Sequence, residues 1–117
     1  MSSFADQRKK RLRTELDRLV ERLVALYQPE RVIVFGSLAH DQVGDWSDLD
    51  IAVIKQTNLP FLDRLLEVSL LVKPKVAADI VVYTPQEYKD MKQDGGSFVD
   101  EIERGRVVYD AERASVA

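Results

Sequence analysis

Apolar residues recur every three or four positions near the start of the chain, and this spacing places them on one side of an α-helix. The repeat predicts an amphipathic helix over residues 6–27. Its apolar positions are Leu12, Leu16, Leu19, Val20, Leu23, Leu26 and Tyr27. The beginning of this helix is strongly basic, although the helix dipole disfavours cations there. We interpret this basic cluster as either a solvated face or a contact surface, and it consists of Arg8, Lys9, Lys10, Arg11 and Arg13.

Four short runs of β-branched and apolar residues predict strands, because such side chains favour extended backbone. The predicted strands span 31–35, 49–54, 76–83 and 106–109. A short helical turn is expected over 37–41, followed by a loop. Together with the helices, these runs predict an α/β (α+β) fold in which helices pack against one small sheet. We expect residues 1–117 to form a single domain with its core over about 31–109.

Start signals predict three further helices. The first is expected to have Asn58 as its N-cap and Pro60 in its first turn, and to end near Val72. Its apolar residues cover more than one side of the helix, so we expect it to be well buried. The sequence Thr-Pro-Gln-Glu at 84–87 predicts a capping box at the start of the second. A cap-like Ser97 is expected to start the third.

The composition narrows the chemistry that this chain of 117 residues could perform. With no Cys and one His, disulfides, thiolate metal sites and His-rich zinc sites are excluded. A metal ion would have to be held mainly by carboxylates, which suits magnesium or manganese. There is no apolar run of about 18 residues and no secretory signal, so we expect a soluble cytoplasmic protein with no membrane contact. A net charge of −3 also leads us to expect no direct nucleic-acid binding.

The residues most suggestive of chemistry lie between the first two predicted strands. Gly36 and Ser37 end the first strand, and a glycine there lets backbone N–H groups approach an anion such as phosphate. After ten more residues, Asp48 and Asp50 open the second strand and point to the same side of it, with Cα atoms roughly 6.7 Å apart. Two carboxylates that converge in this way favour a pair of bound divalent cations.

A third carboxylate, Asp79, lies within an otherwise apolar predicted strand. An unpaired buried carboxylate is costly, so Asp79 needs a cation, a hydrogen-bond network or access to water. If its strand neighbours the strand of Asp48 and Asp50, one pair of cations would serve all three. The joint pattern favours a metal site, although each motif alone is more often a turn or a solvated strand end.

The segment from Val34 to Ile51 resembles the GS-x10-DxD motif of the DNA polymerase β-like nucleotidyltransferase superfamily, in particular its minimal nucleotidyltransferase (MNT) branch. The resemblance covers about residues 31–109 and implies an αβ sandwich around a mixed sheet. It also implies that Asp48, Asp50 and Asp79 are the catalytic residues and bind two Mg²⁺ ions. Gly36 and Ser37 would contact the triphosphate of ATP.

The implied reaction is attack of an acceptor hydroxyl on the α-phosphate of ATP, with Asp79 helping to remove the hydroxyl proton and with pyrophosphate leaving. Many relatives carry basic residues directly after the Gly-Ser pair, but this chain has Leu38, Ala39, His40 and Asp41 there. We expect Arg31, Lys55 or a partner protein to supply the missing charge. Trp46 is interpreted as stacking on a base, contacting a partner or closing over the core.

Members of the MNT branch are antitoxins paired with HEPN-domain toxins, which are RNases, and some transfer AMP to a toxin tyrosine. The resemblance therefore implies a protein adenylyltransferase that forms a hetero-oligomer with a HEPN toxin. We expect another protein to bring the acceptor, because a chain of this length leaves no residues for an acceptor domain. Candidate contact positions are the first helix, Phe61, Leu65 and Phe98.

Two alternatives stay open. The chain could be an antitoxin that neutralises its toxin by occlusion, with an active site weakened by the missing basic residues. It could also be a small-molecule nucleotidyltransferase of the aminoglycoside-modifying type, completed by a partner subunit. Three intact carboxylates favour the enzyme over the occluding antitoxin, and the lack of an acceptor domain argues against the small-molecule enzyme.

Overall fold

Four strands form one mixed sheet within residues 3–40, 42–44 and 48–114, the parts of the chain that the computed structural model describes. They are β1 (Arg31–Phe35), β2 (Leu49–Ile54), β3 (Ala78–Tyr83) and β4 (Arg106–Asp110), in the spatial order β3-β2-β1-β4. β1 runs antiparallel to β2 and β4, whereas β2 and β3 are parallel. The predicted bounds of β1 and β2 are confirmed, while β3 begins two residues later than expected and β4 ends one residue later.

One face of the sheet is covered by the predicted amphipathic helix. This helix is α1 (Phe4–Arg22), and it continues as five residues of π-helix to Tyr27. The Ser3 hydroxyl caps its start by accepting a hydrogen bond from the Asp6 amide at 3.1 Å. Four of its leucines pack onto the sheet: Leu12, Leu16, Leu19 and Leu23. No helix in the described part of the chain is long and apolar enough to cross a membrane.

The opposite face of the sheet carries α3 (Pro85–Asp94) and α4 (Ser97–Glu103). The predicted capping box of α3 is confirmed, because Thr84 and Glu87 exchange hydrogen bonds of 3.1 and 2.8 Å. Ser97 does not cap α4: it is the first helical residue, and Gly96 holds the N-cap position without a side chain to donate or accept. The four-residue helix α5 (Ala111–Ala114) follows β4 and was not predicted.

The helix between β2 and β3, α2 (Phe61–Val72), differs from the prediction in two ways. Pro60 rather than Asn58 is its N-cap residue. The helix is also not well buried, because its buried residues form one narrow stripe, Arg64, Val68 and Val72. On the opposite side Leu62, Leu66 and Leu70 remain 74%, 62% and 63% exposed. Residues four apart share a helix side, so these leucines form a continuous apolar stripe in solvent, which we call the α2 stripe.

Candidate active site

The sheet brings two of the predicted aspartates together. Asp50 on β2 and Asp79 on β3 are register partners in the parallel pair, so their side chains lie next to each other on one face of the sheet. This is the face that carries α3 and α4, since Ala52 and Ile54 of the same alternation pack there. Asp48 precedes β2 by one residue, and its side chain is 47% exposed. We call Asp48, Asp50 and Asp79 the acidic row.

The surroundings of Asp50 are unfavourable for its negative charge. Burial, followed in order of size by the neighbouring carboxylates of Asp79, Glu101 and Asp48, raises the pKa of Asp50 to about 6. Glu101 lies on α4 and was not among the predicted site residues. No sequence signal pointed to it, because only the packing of α4 through Val99 and Ile102 turns it towards Asp50.

Gly36 meets Asp50 at the end of β1. Its φ of 72° is in the left-handed region that favours glycine, and a Cβ added there would collide with Oδ2 of Asp50. A glycine here was expected because it gives backbone N–H groups access to phosphate. The structure adds a second reason, since any side chain at position 36 would displace the carboxylate. Ser37 follows, half-buried, and its carbonyl accepts a hydrogen bond of 2.9 Å from the Gln42 amide.

The residues after the Gly-Ser pair form a 3₁₀ turn, Leu38–His40, close to the helical turn expected there. Leu38 is fully buried and Ala39 packs against the same core, so these two positions serve packing rather than charge. His40 is exposed. Asp41, Trp46 and Ser47 lie outside the described residues.

The two cations that were expected to supply positive charge at the Gly-Ser turn lie elsewhere. Arg31 and Lys55 stand at the opposite end of β1 and β2 from Gly36, about five residues or roughly 17 Å away. The Lys55 ammonium donates to the Tyr27 carbonyl and lies over the Tyr27 ring. The expectation that either residue supplies charge at the Gly-Ser turn was therefore wrong, because the antiparallel hairpin carries both ends away from it.

A different cation lies at the acidic row. Arg8, on the first turns of α1, has its Nη2 atom 3.9 Å from Oδ1 of Asp48. In the sequence, Arg8 stands out only as part of a basic cluster. Its position could not be predicted, because it depends on how α1 crosses the sheet.

The donor set of the acidic row suits a hard divalent cation, since it consists of carboxylate oxygens. Among the described residues, no three acidic or histidine side chains are already arranged as a closed ligand set for a metal ion. The raised pKa of Asp50 nevertheless indicates that negative charge converges here without enough compensation, and a cation would relieve it. The residues therefore fit a divalent cation in their chemistry, and the individual roles of Asp48, Asp50, Asp79, Gly36 and Ser37 stay predictions.

Comparisons with known proteins support the same fold. A solved structure of a candidate nucleotidyltransferase from Sulfolobus solfataricus superimposes with a TM-score of 0.69, covering 97% of this chain and 93% of that one at 21% sequence identity. No curated protein matches the sequence. The family described as Polymerase beta, Nucleotidyltransferase matches residues 17–114, most of the chain and all four strands. The chain therefore belongs to the polymerase β nucleotidyltransferase family.

Proposed function

We propose that this protein transfers AMP from ATP to a hydroxyl group of another protein, specifically to a tyrosine of a HEPN-domain toxin, and thereby acts as an antitoxin. The observation that carries the transferase part is the side-by-side placement of Asp50 and Asp79, with Gly36 held against Asp50. Family membership supports nucleotidyl transfer in general. The toxin and the tyrosine rest on the resemblance to the MNT branch and are the part to be tested.

In this mechanism Asp48, Asp50 and Asp79 would hold two Mg²⁺ ions, which neutralise charge on the attacking and leaving oxygens when bound. The backbone at Gly36 and Ser37 orients the triphosphate. Asp79 is exposed and is the register partner of Asp50, and this supports giving it the role of accepting the proton of the acceptor hydroxyl. The new bond joins the acceptor oxygen to the α-phosphorus, the bond from that phosphorus to the bridging oxygen breaks, and pyrophosphate leaves with its electron pair.

The α2 stripe supports the proposal that the acceptor is carried by a protein. Three leucines more than 60% exposed on one helix side are unusual in water, and such a patch favours contact with another chain. Of the contact positions expected from the sequence, Phe61 and Phe98 are 38% and 43% exposed, whereas Leu65 is half-buried. Leu62, Leu66 and Leu70 are therefore the stronger candidates for a partner-binding surface.

The test is an AMP-transfer assay with labelled ATP, Mg²⁺ and the candidate HEPN protein, followed by mass spectrometry of the labelled peptide. We expect one or more AMP groups on a toxin tyrosine with the wild-type protein and none with the double variant Asp48→Asn/Asp50→Asn. Asp63→Asn on α2 removes an exposed acid away from the row and should leave labelling unchanged.

The other outcomes distinguish the alternatives. Labelling that survives in the double variant would contradict the assignment of the acidic row. Tight binding and full neutralisation of the toxin without labelling would favour occlusion. Labelling of an aminoglycoside in place of the toxin would favour the small-molecule enzyme.

A further inference from the structure

The site described above lacks a cation from its own Gly-Ser turn. Leu38 and Ala39 occupy positions that are basic in many relatives, and both pack into the core. Arg31 and Lys55 lie at the far end of the sheet. A triphosphate carries about four negative charges and needs compensation beyond what backbone N–H groups provide.

α1 brings a guanidinium to this place. α1 contacts the 3₁₀ turn that follows Gly36 and Ser37, and Leu12 of α1 and Leu38 of the turn belong to one buried cluster. Arg8 is four residues before Leu12 and therefore on nearly the same side of the helix. Its side chain is 21% exposed, and its Nη2 atom lies 3.9 Å from Asp48 Oδ1.

We propose that Arg8 is the triphosphate-binding cation of this protein, held in position by Asp48 until substrate and metal bind. This inference rests on the proposed nucleotidyl transfer and deepens it. At 3.9 Å and with the Asp48 side chain 47% exposed, the contact is a loose ion pair that water screens and that is easily given up. The fork of the guanidinium matches two phosphate oxygens, which a lysine ammonium does not.

Removal of Arg8 should affect the binding of the divalent cation and the binding of the triphosphate in opposite directions. Arg8 competes with divalent cations for Asp48, so its removal should not weaken metal binding and should modestly strengthen it. Arg8 attracts the triphosphate, so its removal should weaken nucleotide binding. A residue that merely supported the fold would weaken both.

The test compares Arg8→Gln and Arg8→Lys with Arg13→Gln in the full-length protein. Arg13 is exposed on the same helix but lies in a groove with Arg106 and Val107 of β4, two strands away from β2. It therefore controls for the loss of one positive charge on α1. The readouts are the affinity for Mn²⁺ alone, by electron paramagnetic resonance, and the affinity for the non-cleavable analogue α,β-methylene-ATP with Mg²⁺, by calorimetry.

For Arg8→Gln we expect analogue binding to weaken about tenfold or more, which is the scale of one charge-assisted contact. Mn²⁺ affinity should be unchanged or a few-fold higher. Arg8→Lys should lie between wild type and Arg8→Gln, and Arg13→Gln should change neither affinity more than about twofold.

Three results would overturn the inference. Equal nucleotide affinities for Arg8→Gln and Arg13→Gln would remove Arg8 from the triphosphate site while leaving the proposed transfer intact. Weakened Mn²⁺ binding in Arg8→Gln would indicate a structural role. If the wild-type protein binds neither Mn²⁺ nor the analogue, the proposed function fails together with this inference.

Discussion

Arg64 and Asp50 are both charged side chains held against the sheet, and their surroundings have opposite electrostatic character. Arg64 is 6% exposed and forms two hydrogen bonds to the Glu87 carboxylate, of 2.6 and 3.2 Å. It also donates to the carbonyls of Leu59 and Val82 at 2.8 and 3.2 Å. Asp50 instead faces Asp79, Glu101 and Asp48. The charge of Arg64 is compensated by Glu87, whereas the charge of Asp50 is surrounded by like charges.

The pKa values follow this difference. The Arg64 hydrogen bond holds the pKa of Glu87 below its usual value, whereas burial and neighbouring carboxylates raise that of Asp50 to about 6. Glu15 repeats the compensated pattern, since Arg18 lowers its pKa through hydrogen bonds of 2.7 and 3.0 Å. Compensated charges join elements of the fold, while the convergence of like charge at Asp50 supports the proposed cation site.

The largest expected effect is on transfer activity. Asp50→Asn keeps the shape of the side chain but removes the charge that would hold a divalent cation, so AMP incorporation should fall on the order of a thousandfold. Glu87→Gln removes a carboxylate from the compensated region and should leave the activity of the folded protein within about twofold. A loss of activity of less than tenfold in Asp50→Asn would contradict the different roles assigned to Asp50 and Glu87.

Substitution of Arg64 should reduce the stability of the fold rather than the transfer activity. Arg64→Met removes the side-chain donor to the Leu59 and Val82 carbonyls and the cation that pairs with Glu87, so we expect the free energy of unfolding to fall by about 2–4 kcal/mol. Urea unfolding followed by circular dichroism measures this change. Loss of transfer activity in variant protein that is still folded would contradict a purely structural role for the Arg64–Glu87 pair.

Substitutions at Gly36 and Gly95 distinguish the effect of backbone strain from the effect of a collision with the acidic row. Gly36→Ala pushes a methyl group into the Asp50 carboxylate, so nucleotidyl transfer should fall about tenfold to a hundredfold. Gly95 has a similar φ of 75°, but a Cβ there meets nothing within 4 Å. Gly95→Ala should therefore destabilise the fold by about 1–3 kcal/mol through backbone strain and leave activity unchanged. Equal activity losses in the two variants would assign the effect of Gly36→Ala to strain alone.

The smallest expected effect is the pH dependence of stability in metal-free protein. Because the pKa of Asp50 is raised in the folded state from 3.8 to about 6, the folded protein binds more protons than the unfolded chain between these values. The favourable contribution of Asp50 to the free energy of unfolding is therefore fully present below about pH 4 and is lost as the pH rises to about 6. Above that pH, Asp50 carries an unfavourable negative charge in the folded protein.

Asp50→Asn removes this charge, so the variant should exceed wild type by about 1–2 kcal/mol at pH 8, a range reduced for solvent screening, and by nothing near pH 3.5. Urea unfolding in EDTA at the two pH values measures the difference. A variant that is less stable than wild type at pH 8 would contradict the repulsion at the acidic row.

Much of the fold could be predicted from the sequence because local signals decide it. β1 and β2 are runs of β-branched residues with breaks at each end, and their bounds were predicted correctly. The Thr84 capping box is equally local. The exposed side of α2 was not predictable, since its leucines resemble a buried pattern until the contacts of Arg64 fix which side faces the sheet.

The candidate site was predictable only as a motif. The spacing of Gly36, Asp48 and Asp50 and the isolated Asp79 were visible, but the pairing of Asp79 with Asp50 required the parallel register of β2 and β3. Arg8 and Glu101 come from helices on opposite faces of the sheet, and nothing in the local sequence brings them there. Tertiary packing therefore decides the charges around the motif.

The most direct test of the central claim is the difference in free energy of unfolding between wild type and Asp50→Asn at pH 8, in EDTA and again with saturating Mg²⁺ and α,β-methylene-ATP. Without ligands, Asp50→Asn should be the more stable protein. With ligands, wild type should become more stable by about 1–3 kcal/mol, because it alone gains binding energy at the acidic row. A difference that keeps the same sign under both conditions would contradict the assignment of this row as the metal and nucleotide site.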